Sequence, residues 1–482
     1  MTTVNRSMRL NVAAFIFVSV WTASCASYRP APLMPAKTAD EFARRTLASP
    51  DLCRYLRANL ALTTCACPPA SWDLASLTLA AFFYSPDLAL AEAKLNVAQA
   101  AIITADQRPN PDFGIGIAYA ATAVPNFAPW ALGVASMNIP IETSGKRGYR
   151  IAQAKNLADA AALGIGEAAW HVRSEVRGAL LNHLLALHEY ALAQNYESVS
   201  ERIAQLLRER IAAGAASAPE VNLALATAAA AQLKRAQAQS RIPETLNTLA
   251  TAVGVPIDAL QNAIFAWPDL EHPPLDASLM AARVRRLALL DRVDLRRRLA
   301  QYAAADEALK LEIARQYPDI NLGGGYSWEV NENIFELLPV VALPLMNQNQ
   351  GPIAEARATR AQVAAEFVAL QDAIIGEANG ALAGYEGKLA ALHQSSRTVV
   401  FSRERLAAIR RAFDLGDIDA LTLASAQLET VVAEQSALGA LADAQAALGA
   451  LEDAVQRPLE SGGLKSFTLP DSLQCTSGEQ NS

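Results

Sequence analysis

"PDFGIGIAYA", residues 111–120, alternates apolar side chains with almost bare positions. Phe113, Ile115, Ile117 and Tyr119 fall on one parity; Gly114, Gly116, Ala118 and Ala120 fall on the other. Period two predicts a strand with one apolar face and one nearly side-chain-free face. The surrounding chain is Ala-rich and reads as long helix, so a strand of this kind needs a reason.

The stretch has a sequel. "RPNPDFGIGIAYA" (108–120) returns as "QYPDINLGGGYSW" (316–328), with Pro111 and Pro318 separated by 207. "NIPIETSGKR" (138–147) returns as "ALPLMNQNQG" (342–351), with Pro140 and Pro344 separated by 204. "ERIAAGAASAPEV" returns as "RRAFDLGDIDALT", with Gly214 and Gly416 separated by 202. Three landmarks in one order at nearly one spacing indicate a tandem duplication, far longer than a solenoid unit. Each half reads as helix, strand, strand, very long helix, tight turn, long helix.

The helices are defined by what is missing. No proline stands between Pro140 and Pro219, or between Pro352 and Pro458. Residues 146–213 as one helix would span about 100 Å at ~1.5 Å per residue. Val172, Val176, Leu180, Leu184 and Leu187, then Val199, Ile203 and Leu206, recur at threes and fours as an amphipathic seam. Flanking alanines allow close helix axes. Gly164, Gly166 and Gly178 predict bends or breaks. Gly214 and Gly416, each followed by turn residues, predict C-cap glycines at hairpin tips.

Four strands are expected, near 111–123, 130–141, 318–331 and 334–345. Trp130, Leu132 and Val134 share a face of the second. In the third, Ile320, Leu322, Tyr326, Trp328 and Val330 alternate with Asn321, Gly323, Gly325, Ser327 and Glu329. An apolar band with an aromatic girdle (Tyr119, Trp130, Tyr326, Trp328) and a polar or glycine inner face fits a membrane barrel. Ten residues suffice to cross. Four strands cannot close a barrel, and an open edge in lipid leaves backbone groups unpaired. Either these strands are not in a membrane, or several chains share one barrel, eight strands from a dimer or twelve from a trimer; glycine on the inner face favours the larger.

At the N-terminus, Arg6 and Arg9 precede "LNVAAFIFVSVW" and then "TASC". This reads as a signal peptide over 1–24, too short to span. "TASC" resembles the lipobox of bacterial lipoproteins, with Thr22 where leucine is usual. It points to diacylglycerol and N-acyl lipid on Cys25; Ala26 after it implies the outer membrane. Cys53, Cys65, Cys67 and Cys475 remain, an even number consistent with disulfides in an exported chain. No later run reaches ~18 consecutive apolar residues.

The net charge of −7 carries no basic patch, which argues against nucleic acid. "GIGEAA" (164–169) matches a dinucleotide fingerprint by letter but lies inside a helix. Gly145-Lys146-Arg147 lacks the upstream glycine and downstream hydroxyl of a P-loop and reads as a strand-to-helix connector. His171, His183, His188, His272 and His393 show no ligand spacing. No enzyme, metal site or cofactor is expected.

The duplicated unit, "SPDLALAEAKLNVAQAAIITADQRPNPDF" (85–113) and "NIPIETSGKR" resemble the outer membrane efflux protein family, the TolC-like channels, and in particular its heavy-metal branch. The resemblance covers about 75–465. It implies a fold mainly α with a membrane β-barrel portion: a trimeric α-barrel carrying a shared twelve-stranded β-barrel. It divides the chain into the signal peptide 1–24, an N-terminal lipidated segment and belt (25–80), a first repeat (81–265), a linker including "WPDLEHPP" (266–285), a second repeat (286–458) and a tail (459–482). It implies a passive outer-membrane duct, working with a periplasmic adaptor and an inner-membrane pump of the resistance-nodulation-division type, carrying metal ions or drugs outward. The adaptor would meet the tips, Gly214, Ala215, Ala216 and Ser217 with Gly416, Asp417 and Ile418. Some relatives carry aspartates six and nine residues after the second tip glycine; here Thr422 and Ser425 stand there, leaving Glu220 and Glu429 as candidate pore acids. A protein-secretion conduit and a non-porous periplasmic coiled-coil scaffold remain the alternatives.

Overall fold

The computed structural model describes residues 27–60, 68–116, 118–119, 130–131, 135–274, 284, 286, 288–290, 292–329 and 332–459. The expected signal peptide, Cys25, Cys65, Cys67, Cys475, Ile117, Leu132, Val134, Val330 and the tail from 460 lie outside them. The described residues up to Arg45 belong to one unit, whose helix α1 (Pro35–Ala43) opens on a proline; Arg45 lies over the Phe42 ring.

The second unit, from Thr46 on, holds both repeats. It begins with α2 (Pro50–Asn59) and α3 (Leu74–Tyr84). The latter starts on a reciprocal cap between Asp73 and Ser76. The first repeat continues with α4 (Pro86–Asp106), β1 (Asp112–Ile115), β2 (Ala118–Tyr119), β3 (Trp130–Ala131), β4 (Ala135–Ile141), α5 (Lys146–Ala212) and α6 (Ala218–Val253). The second gives α7 (Val293–Ala314), β5 (Ile320–Glu329), β6 (Glu332–Val341), α8 (Gln350–Asp414) and α9 (Ala420–Val455). The element order matches the duplication. The long helices start 204 residues apart, at Lys146 and Gln350, each after a residue in left-handed backbone, Gly145 (φ 71°) and Asn349 (φ 61°). Asn tolerates that conformation better than other side-chain-bearing residues.

α5 runs unbroken through Gly164, Gly166 and Gly178, so none of these glycines interrupts it. Gly166 serves packing instead: a Cβ there would stand 3.1 Å from Val293 Cγ1 at the start of α7. Val172, Val176, Leu180 and Leu184 are buried as the seam requires, but Leu187 is 40% exposed. Toward the tip the buried line passes to Ala193, Ser200 and Ala204, because there the neighbour is α6, which offers Ala224, Ala228 and Ala231. Small residues on both sides allow close approach.

Two apolar cores sit at mid-height. One gathers Leu52, Leu77, Ile165, Leu180, Leu249 and Leu260 around α5; the other gathers Ile374, Tyr385, Leu441, Leu448 and Leu451 between α8 and α9. The "WPDLEHPP" linker is packed into this level. Trp267 and Leu270 join the first core, and the Pro274 carbonyl accepts from Tyr385 Oη at 2.5 Å. Cys53 is disulfide-bonded. α4 is long and apolar enough on average to cross a membrane, but it carries Asp87, Glu92, Lys94 and Asp106 and packs along α5.

Four strands form one antiparallel sheet, in the order β1-β4-β5-β6; β2 and β3 pair separately. β6 ends at Val341 instead of 345. Its partner β5 begins at Ile320, opposite Val341, and Pro318 before it has no N–H to extend the ladder. Pro140, inside β4, lies beyond the last β1 pair, Asp112↔Asn138, where no strand flanks it on that side.

Candidate functional site

In an antiparallel ladder, residues directly opposite share a face. The register therefore sorts the sheet. One face carries Phe113 and Ile115, then Ala135, Met137, Ile139 and Ile141, then Ile320, Leu322, Gly324, Tyr326 and Trp328, then Phe335, Leu337, Pro339 and Val341. Apart from Asn333, opposite Trp328, its side chains are apolar or aromatic. The other carries Asp112 and Gly114, Ser136, Asn138 and Pro140, Asn321, Gly323, Gly325 and Ser327, then Glu332, Ile334, Glu336, Leu338 and Val340. The alternation read from the third strand runs through β1, β4 and β5, while β6 carries apolar side chains on both faces, Ile334, Leu338 and Val340 on the second. The apolar face is uncovered: Phe113, Ile115, Phe335 and Leu337 are each more than 65% exposed.

Tyr326 and Phe335 stand cross-strand with ring centroids 5.3 Å apart, and Tyr326 Oη donates to Asn333 Oδ1 at 2.7 Å. An amphipathic ring with its hydroxyl engaged at the strand end suits a lipid–water boundary. Tyr119 and Trp130 pair directly; their side chains lie outside the described residues. On the inner face, a Cβ on Gly323 would come within 2.8 Å of the Leu338 carbonyl oxygen, so glycine there permits close strand approach.

The basic cluster after β4 is a structural clasp. Lys146 is buried, and its ammonium donates to Asp319 Oδ1 (2.7 Å) and to the Tyr317 carbonyl (2.6 Å). The Thr143 N–H donates to Asp319 at 2.9 Å, and its hydroxyl to the Pro318 carbonyl at 2.7 Å. Arg147 binds Asp106, and Arg150 binds Glu142. The start of α5 is thus tied to the start of β5.

The tips match the expected caps. Gly214 (φ 71°) and Gly416 (φ 83°) are both left-handed. In the first tip Ala215 N–H bonds Arg210 O and Gly214 N–H bonds Ile211 O; in the second Asp417 N–H bonds Ala412 O and Gly416 N–H bonds Phe413 O. Both are Schellman closures. Ala215, Ser217 and Asp417 are exposed; Ala216 and Ile418 are half-buried. Glu220 is engaged in a capping box, its carboxylate accepting from Ser217 N–H at 2.8 Å, which holds its carboxyl below the usual range. Glu429 pairs with Arg405 of α8 at 2.5 Å.

Sequence reasoning missed Arg210 and Asp419. Asp419 caps α9 by accepting from Thr422 N–H at 2.8 Å, and its carboxylate also pairs with Arg210 on the other hairpin. The signal was available: a 202-residue offset puts Asp419 opposite Ser217, the other N-cap.

A buried polar cluster was missed as well. Glu452 of α9 is fully buried, with Arg173 Nη1 at 3.0 Å and Arg177 Nε at 3.4 Å. Arg177 donates to the Gln445 carbonyl and side chain, and Gln445 in turn to the Leu270 carbonyl. Trp170 and Ser174 donate to Asp453. This cluster joins α5, α9 and the linker.

An open sheet with one apolar face, mounted on paired helical hairpins of this length, makes a chain that is mainly α with a small β portion, the fold of solved outer-membrane channels. Residues 81–255 match the family model described as outer membrane efflux protein. The match falls on the first repeat, part of the stretch in which the sequence resembles this family. Among curated proteins, the cobalt-zinc-cadmium resistance protein CzcC of Cupriavidus metallidurans is 28% identical over 45% of this chain and 51% of its own. The pyoverdine export outer membrane protein OpmQ of Pseudomonas aeruginosa is 26% identical over 56% of each. The chain thus spans about half the length of the curated relatives it matches. The open-state outer membrane channel MtrE of Neisseria gonorrhoeae shares the fold, with a TM-score of 0.62 at 18% identity over 80% of this chain and 89% of that one.

Proposed function

We propose that this protein is the outer-membrane duct of a tripartite efflux system, a passive channel that receives small solutes from a periplasmic adaptor and an inner-membrane pump. The sheet carries this reading. Its apolar face is uncovered and continuous over four strands, while its other face is small or polar on β1, β4 and β5, as lipid outside and water inside require. Among the described residues the first and last strands of this sheet are both free edges. In hydrocarbon each unpaired backbone group costs several kcal/mol, so the sheet must be completed by other copies. A homotrimer supplies twelve strands and leaves a lumen.

The hairpins then descend into the periplasm, and their exposed tips face the adaptor. Cys25 carries the lipid anchor in the outer membrane. The names of CzcC and OpmQ support a cargo of metal ions or of small organic molecules, and the pump makes the choice. Nothing in this reading calls for a catalytic step, a cofactor or a nucleic acid.

Reconstitution tests it. Purified protein in planar bilayers is expected to give discrete conductance steps and to run as a trimer in detergent. A water-soluble monomer that needs no detergent would overturn the reading in favour of a periplasmic scaffold.

A further inference from the structure

The duplication fixes a strand register that a single chain cannot display. Two offsets relate the halves: 207 residues for the first strand of each pair (Pro111 to Pro318) and 204 for the second (Pro140 to Pro344). They can be checked within the chain. Applied to the β1–β4 pair Phe113↔Met137, they give Ile320↔Val341, which is an observed β5–β6 pair. The two hairpins therefore keep one register through the duplication.

A second kind of junction joins the second strand of one repeat to the first strand of the next. It is seen once, between β4 and β5, from Ala135↔Tyr326 to Ile141↔Ile320. Its counterpart would join the second strand of the second repeat to β1. Within one chain these lie at opposite edges of the sheet, three strands apart. At about 4.8 Å per strand they cannot meet.

We infer that β6 of one copy pairs with β1 of the next in the β4–β5 register, placing Leu345 opposite Phe113, Pro344 opposite Gly114, and Leu343 opposite Ile115 of a neighbouring copy. The inference rests on the trimeric duct proposed above and specifies how it closes. The register passes a test it was not built to pass. Leu343 and Leu345 share the parity of Phe335, Leu337 and Val341, so they lie on the apolar face, as do Phe113 and Ile115. All four are exposed, between 67% and 76%. A shift of one residue would set apolar against inner-face positions throughout. Pro344 then occupies the place that Pro140 occupies in β4.

The pairing also accounts for the early end of β6. Ile139 and Ile141, equivalent to Leu343 and Leu345, are strand because β5 pairs with them. Residues 342–345 lie beyond Ile320 and have no strand partner among the described residues of their own chain. Contact with the next copy supplies one and extends β6 to the length of its counterpart.

Cysteine pairs read the register directly. Chains carrying Leu343→Cys with Ile115→Cys, or Leu345→Cys with Phe113→Cys, are oxidised in outer-membrane vesicles and run without reductant. Both pairs are expected to give covalent dimers and trimers in high yield. The offset pairs Leu343→Cys with Phe113→Cys, and Leu345→Cys with Ile115→Cys, are expected to give several-fold less. Diagonal neighbours stand 7–8 Å apart, beyond the 4.4–6.8 Å that disulfides span. A trimer in which an offset pair cross-links best, or in which neither in-register pair cross-links, overturns the register and leaves the duct standing. A membrane-inserted chain that amine cross-linkers capture only as monomer overturns the duct itself.

Discussion

The two long helices α5 and α8 begin 204 residues apart and share a backbone, yet they carry opposite charge at one equivalent place. Arg173 stands in α5 where Glu377 stands in α8. Arg173 is buried and meets Glu452, which is fully enclosed. Glu377 is half exposed and meets Arg292, which also holds Asp294 and the Ala454 carbonyl. Duplication copied the scaffold, and divergence then made the two halves unequal. An α9 carrying Glu452 finds its buried arginines on α5 and none at the matching place on α8. The polar cluster therefore specifies which long helix α9 packs against in addition to its own hairpin partner.

The comparison is broken most sharply at the carboxylates. Glu452→Gln leaves Arg173 and Arg177 buried without their counter-charge. Removing one partner of a buried pair costs about 3–5 kcal/mol, so the thermal midpoint in detergent is expected to fall steeply. Glu377→Gln leaves Arg292 with Asp294, and a half-exposed pair is worth about 0–1 kcal/mol. Equal losses in the two variants would show that the burial difference carries no energetic weight.

A smaller contrast lies in α9 itself. Gly449 faces Arg177, and a Cβ there would stand 2.5 Å from Nη1. Gly439, ten residues earlier, has nothing within 4 Å of the same position. Gly449→Ala is expected to destabilise by about 1–3 kcal/mol, because the guanidinium must leave Gln445 and Glu452. Gly439→Ala removes a helix-weakening glycine and is expected to stabilise by up to about 1 kcal/mol. Opposite signs in denaturant titrations check that Gly449 is glycine for the arginine's sake.

What was legible in the sequence follows from period and repeat. The strand faces needed only alternate residues, and Ile320 through Trp328 displayed them. The tips needed only Gly214 and Gly416 at the ends of proline-free runs. The polar cluster was not legible, because Glu452 lies 279 residues from Arg173 and each charge alone reads as a solvated helix charge. Leu187 was misplaced for a related reason: a period describes one face, while the covering neighbours change along a helix of this length. The breaks expected at the glycines of α5 do not occur, since coverage by α4, α6, α7 and α9 outweighs a propensity cost of about 1 kcal/mol each.

The smallest expected effect separates two duties of one residue at the tips. Asp419 caps α9 and pairs with Arg210; Ser217, its repeat equivalent, only caps. Asn caps a helix about as well as Asp, and Ala does not. Asp419→Asn should therefore keep the cap and lose only the tie between hairpins, while Asp419→Ala adds a cap loss of about 1 kcal/mol. The Thr422 N–H and then the Arg210 charge hold the Asp419 carboxyl below its ordinary 3.8. A lowered folded-state value means the stabilisation is complete above 3.8 and is lost as pH falls through the lowered value. Spin labels at the exposed Ala213 and Asp417 positions should thus report a constant distance at neutral pH and a broadening distribution only in stronger acid. In Asp419→Asn the distribution is expected to be broad already at neutral pH and insensitive to acid. A distribution that stays narrow in that variant would mean that helix packing alone holds the tips together and that Arg210 merely follows.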